Sequence, residues 1–411
     1  MKNCNNSEKH ERTTAFAEHC QFLEYPLKGN EGEKENADLA LKGMVVTFRH
    51  GERSALVPGM VAELPDCTAY HAVDRQSFEE YSKFTESNDF HRFFKFDKLF
   101  DGFPLKPERS KCKLGEMTAE GALQLLRLAS LDVFVSSSYY HRTLQSGIAF
   151  LSGFLYDHSD KIPELFIKAS NTTYFCLDNS CTCNNERSKL YLDRYADLHS
   201  DLKIVAKPIG IPHLSHPFEF VDAILGTYAC RRLPLPCFEN NECISLDTIN
   251  IAAKTAEELI REMYPKSQHI RRLYAAESYP IAHAVVKVIE ELKKQTTKET
   301  SYIRVFSGHD ITIIPLLLTM GLKNITIPPP YASRLVFEVY ESKKMMLNEK
   351  FFIRVLYNGV DHTTDLKFCK SFHSNLCSAK DFENFVENSL LQDIGKINSM
   401  KEFCQIENSV T

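Results

Sequence analysis

Met44-Val45-Val46-Thr47-Phe48-Arg49-His50-Gly51-Glu52-Arg53 sets the frame for the whole chain. Its apolar, β-prone first half reads as a strand. The two arginines and the histidine at the end of that strand read as an anion site. Two guanidinium groups can grip a phosphate with forked hydrogen bonds. The histidine between them can attack phosphorus, and Gly51 lets the backbone turn so that the three side chains converge. Taken alone, the stretch also fits a solvated basic turn.

Two further segments repeat the pattern. Tyr302-Ile303-Arg304-Val305-Phe306 is strand-like and runs into Ser307-Gly308-His309-Asp310-Ile311-Thr312, followed by the apolar Ile313-Ile314-Pro315-Leu316-Leu317-Leu318. Leu131-Asp132-Val133-Phe134-Val135 leads through Ser136-Ser137-Ser138-Tyr139-Tyr140 to His141-Arg142-Thr143. Arg142 would stand at a helix start, whose free N–H groups and dipole favour anions. In open α/β sheets, ligands lie beyond the carboxyl ends of the strands. Each segment is weak by itself: His-Asp more often caps a helix, and an arginine at a helix start is usually solvated.

Taken in order, the three segments resemble the histidine acid phosphatase branch of the histidine phosphatase superfamily, from about residue 40 to the C-terminus. Arg142-Thr143-Leu144-Gln145-Ser146-Gly147 adds to the likeness, as do Phe175-Cys176 with Ser180-Cys181-Thr182-Cys183, and Leu235-Pro236-Cys237 with Cys243. So do Ala332-Ser333-Arg334-Leu335-Val336-Phe337-Glu338 and, most specifically, Val355-Leu356-Tyr357-Asn358-Gly359-Val360-Asp361. The resemblance implies an α/β fold: a three-layer core with a mainly parallel sheet and an inserted, mostly helical cap. It implies His50 as the nucleophile that forms a phosphohistidine, and Asp310 as the general acid. Arg49, Arg53 and Arg142 become the phosphate clamp, and His309 a further phosphate ligand. No metal and no cofactor are expected. Ser54-Ala55 and Ser136-Ser137-Ser138 stand where many acid phosphatases carry other residues, and neither departure removes a charge from the clamp.

The chemistry accounts for each residue type. Phosphate monoesters hydrolyse very slowly unaided, and a covalent intermediate replaces one hard step by two easier ones. His50 must be neutral to attack; guanidinium neighbours push its pKa below the ordinary value of about 6.5. Three arginines match the charge that spreads over the phosphoryl oxygens in the transition state. Asp310 gives a proton to the leaving alcohol and later takes one from water.

A chain of 411 residues with 43% hydrophobic residues can bury a large core, as one large or two moderate domains. A formal net charge of −5 argues against a nucleic-acid binder. Thirteen cysteines are many for a cytosolic enzyme. Cys176, Cys181 and Cys183 form one cluster, Cys230, Cys237 and Cys243 a second, and Cys369 and Cys377 a third. They read as disulfides ahead of metal ligands, with Cys4 a candidate free thiol. Asn5-Asn6-Ser7, Asn171-Thr172-Thr173 and Asn324-Ile325-Thr326 are glycosylation sequons. The first residues are polar, and no run of about 18 apolar residues is present to span a bilayer. Cysteine usage favours the secretory pathway, and the resemblance implies a Golgi-lumen enzyme with an N-terminal membrane anchor; with no targeting segment visible, a start downstream of the true N-terminus, a cytosolic copy and a secreted one stay open.

Residues 1–39 are charge-rich and read as a flexible arm. Residues 40–157 and 297–411 read as the α/β catalytic core, and 158–296 as the cap insertion with cysteine clusters. Residues 56–112 read as irregular and aromatic-rich, with Phe90, Phe93, Phe94, Phe96, Phe100 and Phe103 mostly in packing roles.

The function this adds up to is a phosphomonoesterase acting on a phosphorylated sugar or glycan. By the closer likeness, that substrate is the xylose 2-phosphate of the proteoglycan glycosaminoglycan linkage region. A broad-specificity acid phosphatase, an inositol polyphosphate phosphatase and an inactive phosphosugar-binding descendant stay open. The clamp contacts only the phosphoryl group and cannot separate them.

Overall fold

The computed structural model describes residues 16–23, 29–32, 38–56, 64–69, 75–126, 134–155, 165–170, 172–175, 217–237, 243–294, 301–322, 325, 328–346 and 349–394. Ten strands form one sheet. They are β1 (Leu39–Arg49), β2 (Phe94–Phe96), β3 (Phe134–Ser138), β4 (Leu165–Ser170), β5 (Tyr302–Gly308), β6 (Arg334–Met346), β7 (Glu349–Tyr357), β8 (Val360–Asp361), β9 (Phe372–His373) and β10 (Leu376–Ser378). Their spatial order is β2-β4-β3-β5-β1-β6-β7-β10-β9, with β8 beside β7. The five strands from β2 to β1 in that order run parallel. From β1 onward the pairings are antiparallel. The α/β class is as expected, and its parallel half holds all three motif-bearing strands, β3, β5 and β1, side by side.

Helices cover both faces. They include α1 (Arg75–Thr85), α2 (Asn88–Phe93), α3 (Ala119–Leu126), α4 (His141–Leu155), α5 (Pro217–Ile224), α6 (Leu246–Lys266), α7 (Gln268–Lys294), α8 (Asp310–Thr319) and α9 (Ala379–Asn384). Val45 joins a core with Val285, Val288, Ile313 and Leu317 from α7 and α8. Its neighbours Val46 and Phe48 join the opposite core with Ala122, Leu144 and Ile148 from α3 and α4. A strand buried on both faces needs apolar side chains at successive positions, so this stretch reads as a run rather than an alternation. The result is a three-layer sandwich.

Three sequence expectations need correction. Helix α7 falls within the range assigned to the cap, yet it lies on the sheet: a Cβ at Gly43 of β1 would strike Val288 and meet Leu292. Its helical pattern was readable, but periodicity does not say which surface an apolar stripe covers. The segment 56–112, expected to be irregular, holds α1, α2 and β2. Its phenylalanines do pack: Phe90, Phe94 and Phe100 are buried, and Phe90 stacks on Phe94 with centroids 4.5 Å apart. Residues 16–23, part of the expected flexible arm, bury Phe16, Cys20 and Phe22. A few apolar residues in a polar stretch give no periodic signal, and their anchor is a covalent bond to a distant residue.

That bond is Cys20–Cys230, one of four disulfides among the described residues, with Cys67–Cys112, Cys237–Cys243 and Cys369–Cys377. The second and third cysteine clusters are therefore disulfide-bearing, as expected, and such bonds fit an oxidising compartment. Cys4, the cluster of Cys176, Cys181 and Cys183, and the sequon asparagines Asn5, Asn171 and Asn324 lie outside the described residues. Among the described residues no group of His, Cys, Asp and Glu is placed to hold a metal ion. None of their helices is long and apolar enough to cross a membrane.

Candidate active site

The sheet register brings the three motifs to one edge. Arg49 at the end of β1 pairs with Gly308 at the end of β5, and Ser137 of β3 pairs with Ser307. The backbone continues this alignment past the strand ends: His50 N–H donates to the Gly308 carbonyl at 3.0 Å, and Ala332 N–H to the His50 carbonyl at 3.2 Å. Arg142 is the second residue of α4, and Asp310 the first of α8, so two helix N-termini face the same edge.

His50 is buried, at 2% exposure. Its Nδ1 lies 2.8 Å from the Gly51 carbonyl oxygen. A carbonyl can only accept, so Nδ1 carries the proton and Nε2 keeps its lone pair. Burial, and then the Arg142 and Arg49 cations, hold the imidazole pKa well below its ordinary value. His309 packs edge-on to it, ring centroids 5.4 Å apart.

The tautomer of His309 follows by the same logic. Arg142 Nη2, which can only donate, sits 3.4 Å from His309 Nδ1, so Nε2 bears the proton and donates to Ser138 Oγ at 2.8 Å. Ser138 in turn donates to Thr143 Oγ1 at 3.0 Å. His309 thus links Arg142 to Ser138, and the Arg142 guanidinium lies over the Tyr140 ring, 4.5 Å from its centroid. Burial and the Arg53 cation lower the Arg142 pKa to about 10, so it remains a cation at neutral pH.

Arg49 donates from Nη1 to the Pro329 carbonyl at 2.6 Å and lies 4.4 Å above the Tyr331 ring. Arg53 donates from Nη1 to the Ser54 carbonyl at 3.0 Å. The Nε–H groups of Arg49, Arg53 and Arg142 are all buried with no acceptor among the described residues. Asp310 is partly exposed; one carboxylate oxygen accepts from Ile311 N–H at 2.8 Å and the other lies 3.7 Å from Arg49 Nη2. All six expected site residues thus converge.

Sequence reading missed Asp222. This residue of α5 bridges the two arginines: Oδ1 accepts from Arg49 Nη2 at 2.7 Å, and Oδ2 from Arg53 Nη2. Burial opposes ionisation there, but the Arg53 and Arg49 guanidiniums outweigh it and hold the carboxyl down at about 2. The signal was faint: one carboxylate in the run Val221-Asp222-Ala223-Ile224-Leu225. Tyr331 and His19, both buried beside Arg49, were also missed.

Residues 248–358 match the model of the histidine phosphatase superfamily (branch 2). The matched stretch contains His309, Asp310 and the strands β5 to β7, while the Arg49–Arg53 segment lies outside it. Curated relatives include 2-phosphoxylose phosphatase 1 of Danio rerio, 27% identical over 90% of this chain and 83% of that protein. The protein of the same name from Homo sapiens is 25% identical over 85% of this chain and 78% of that one. Lysophosphatidic acid phosphatase type 6 of Bos taurus is 22% identical over 92% of this chain and 88% of that one. Among solved structures, Hafnia alvei phytase in complex with tartrate shares the fold with a TM-score of 0.51 and 13% identity, over 86% of this chain and 98% of that one. Residues 248–358 thus resemble a branch 2 histidine phosphatase domain, and the relatives that the chain resembles over most of its length are phosphatases.

Proposed function

We propose that this chain is a phosphomonoesterase that works through a phosphohistidine on His50. The observation that carries the reading is the set of three buried, acceptor-free arginine Nε–H groups beside a neutral imidazole with its Nε2 lone pair free. In the first step His50 Nε2 bonds to phosphorus and the P–O bond to the alcohol breaks. Asp310 gives its proton to the departing oxygen. In the second step water attacks phosphorus, Asp310 takes the water proton, and the P–N bond to His50 breaks. Arg49, Arg53 and Arg142 hold the phosphoryl oxygens throughout, with His309 as a further phosphate ligand that also contacts Arg142. No cofactor enters this scheme.

The substrate class we assign is a phosphorylated sugar, specifically xylose 2-phosphate in a glycan linkage region, and the compartment is the Golgi lumen. The names of the relatives in Danio rerio and Homo sapiens support the phosphorylated xylose, and the disulfides support an oxidising compartment. Specificity would lie in the segment between β4 and the start of α7, since the clamp reads only phosphate.

The test is phosphate release at mildly acidic pH from a glycan carrying xylose 2-phosphate and from a generic aryl phosphate, with His50→Ala as control. Preference for the glycan supports the full reading. Activity on the aryl phosphate alone leaves a broad acid phosphatase. Substantial turnover by folded His50→Ala would remove the nucleophile assignment. Asp310→Asn should slow alkyl phosphates, which leave poorly, more than aryl phosphates; equal slowing would count against the acid role.

A further inference from the structure

Asp222 stands on donors that a phosphoryl group needs. Its carboxylate gives one oxygen to Arg49 Nη2 and the other to Arg53 Nη2, the arrangement a phosphate would adopt across two guanidiniums. Its position is enforced from several sides. Helix α5 runs into a π-helical turn, Leu225–Ala229, and then to Cys230, which is covalently tied to Cys20. Gly226 in that turn lies so near the Tyr331 hydroxyl that a Cβ would collide with it. Tyr331 itself underlies Arg49. On the charge side, Asp222 supplies one shared counter-charge to Arg49 and Arg53, the two guanidiniums it touches.

We propose that Asp222 is a resident anion of the clamp: phosphoryl oxygens must displace it from Arg49 and Arg53, or share their Nη2 groups with it, so it sets how tightly the site holds phosphate. The inference rests on the reading of Arg49, Arg53 and Arg142 as the clamp. It answers two physical problems. Buried guanidiniums without a counter-charge are costly in an empty site, and Asp222 supplies one. A clamp with its full charge unopposed would also bind substrate and product phosphate uniformly tightly, which lowers KM without raising kcat.

The experiment compares wild type, Asp222→Asn, Asp222→Ala and Arg142→Ala. Inorganic phosphate is titrated calorimetrically, and its competitive inhibition of aryl phosphate hydrolysis is measured in parallel. Thermal melts are recorded with and without phosphate, because a ligand that binds the folded state raises the melting temperature even of a weakened variant. Both Asp222 variants should bind phosphate more tightly, by roughly tenfold to a hundredfold, the equivalent of losing one competing charged hydrogen-bond partner. The KM for aryl phosphate should fall with it, and phosphate should raise their melting temperature by more than that of wild type. Unchanged or weaker phosphate affinity in both variants overturns the inference and makes Asp222 an aligner of the arginines. Arg142→Ala leaves the contacts of Asp222 in place and should lose phosphate affinity. Wild-type affinity in Arg142→Ala would instead overturn the clamp reading, and the inference with it.

Discussion

At the scale of single residues, the decisive feature is a histidine kept neutral among cations. Burial contributes most to this, and Arg142 and Arg49 add to it, so His50 stays unprotonated as the pH falls through the ordinary histidine range. The hydrogen bond from Nδ1 to the Gly51 carbonyl fixes which nitrogen is free. Nitrogen NMR of histidine-labelled protein at pH 5 should therefore show the neutral Nδ1–H tautomer for His50, assigned with His50→Ala. An imidazolium pattern at that pH would contradict the geometry. Residue chemistry was largely legible in the sequence, because Arg49, His50, Arg142, His309 and Asp310 sit at strand ends or helix starts, and Arg53 follows the end of β1 by four residues. Asp222 was not, because its meaning comes from two arginines about 170 residues away, and a lone carboxylate in an apolar run has many explanations.

At the scale of elements, the sheet places the site and two local crossings hold it. Gly51 was expected for its freedom to turn, but it serves a close approach: a Cβ there would overlap the Gly121 backbone at the start of α3, and one at Gly121 would overlap Glu52. Gly121→Ala should cost about 1–3 kcal/mol or more by overpacking, seen in urea denaturation, and should lower activity by shifting the β1 exit. A change within about 0.5 kcal/mol, typical of surface substitutions, would mean the crossing is slack. The segments Ala332–Glu338 and Val355–Asp361, which carried the resemblance far from the catalytic residues, have a structural explanation. Glu338 and Arg354 are register partners on β6 and β7, paired at 3.2 Å, and both are buried. Asp361 on β8 accepts from Arg354 Nε at 2.9 Å, after a turn in which Asn358 and Gly359 both have positive φ. That turn was readable from Asn-Gly, and it is the hairpin geometry such a pair favours. Arg354→Ala would take the buried cation from Glu338, whose carboxylate keeps the Tyr340 hydroxyl and Gly32 N–H as donors, and a loss of about 1–3 kcal/mol is expected. Loss of activity in the folded variant without loss of stability would contradict a purely structural network.

At the scale of the whole molecule, the N-terminal segment closes the underside of the site and ties its stability to pH. Cys20–Cys230 fastens residues 16–23 to the turn after α5, which places His19 against Tyr331 with ring centroids 5.7 Å apart. Neither the tie nor the burial could be read from a polar stretch with no periodic pattern. Burial, with the Arg49 cation, lowers the His19 pKa to about 3. The sign of the effect follows from proton counting. Between pH 6.5 and about 3 the unfolded chain binds a proton at this histidine that the folded chain excludes, so stability falls as pH falls through that window. His50 acts in the same direction. Asp222 acts only at lower pH, because its depressed pKa matters below the ordinary carboxylate value of about 3.9. Each histidine contributes at most about 1.4 kcal/mol per pH unit, or about 2 kcal/mol between pH 6.5 and 5. His19→Phe keeps the ring and removes the titration, so its urea midpoint should decline less than that of wild type between those two pH values. Parallel decline in the two proteins would show that His19 takes up its proton in the folded state, and that the segment tied by Cys20 opens in acid.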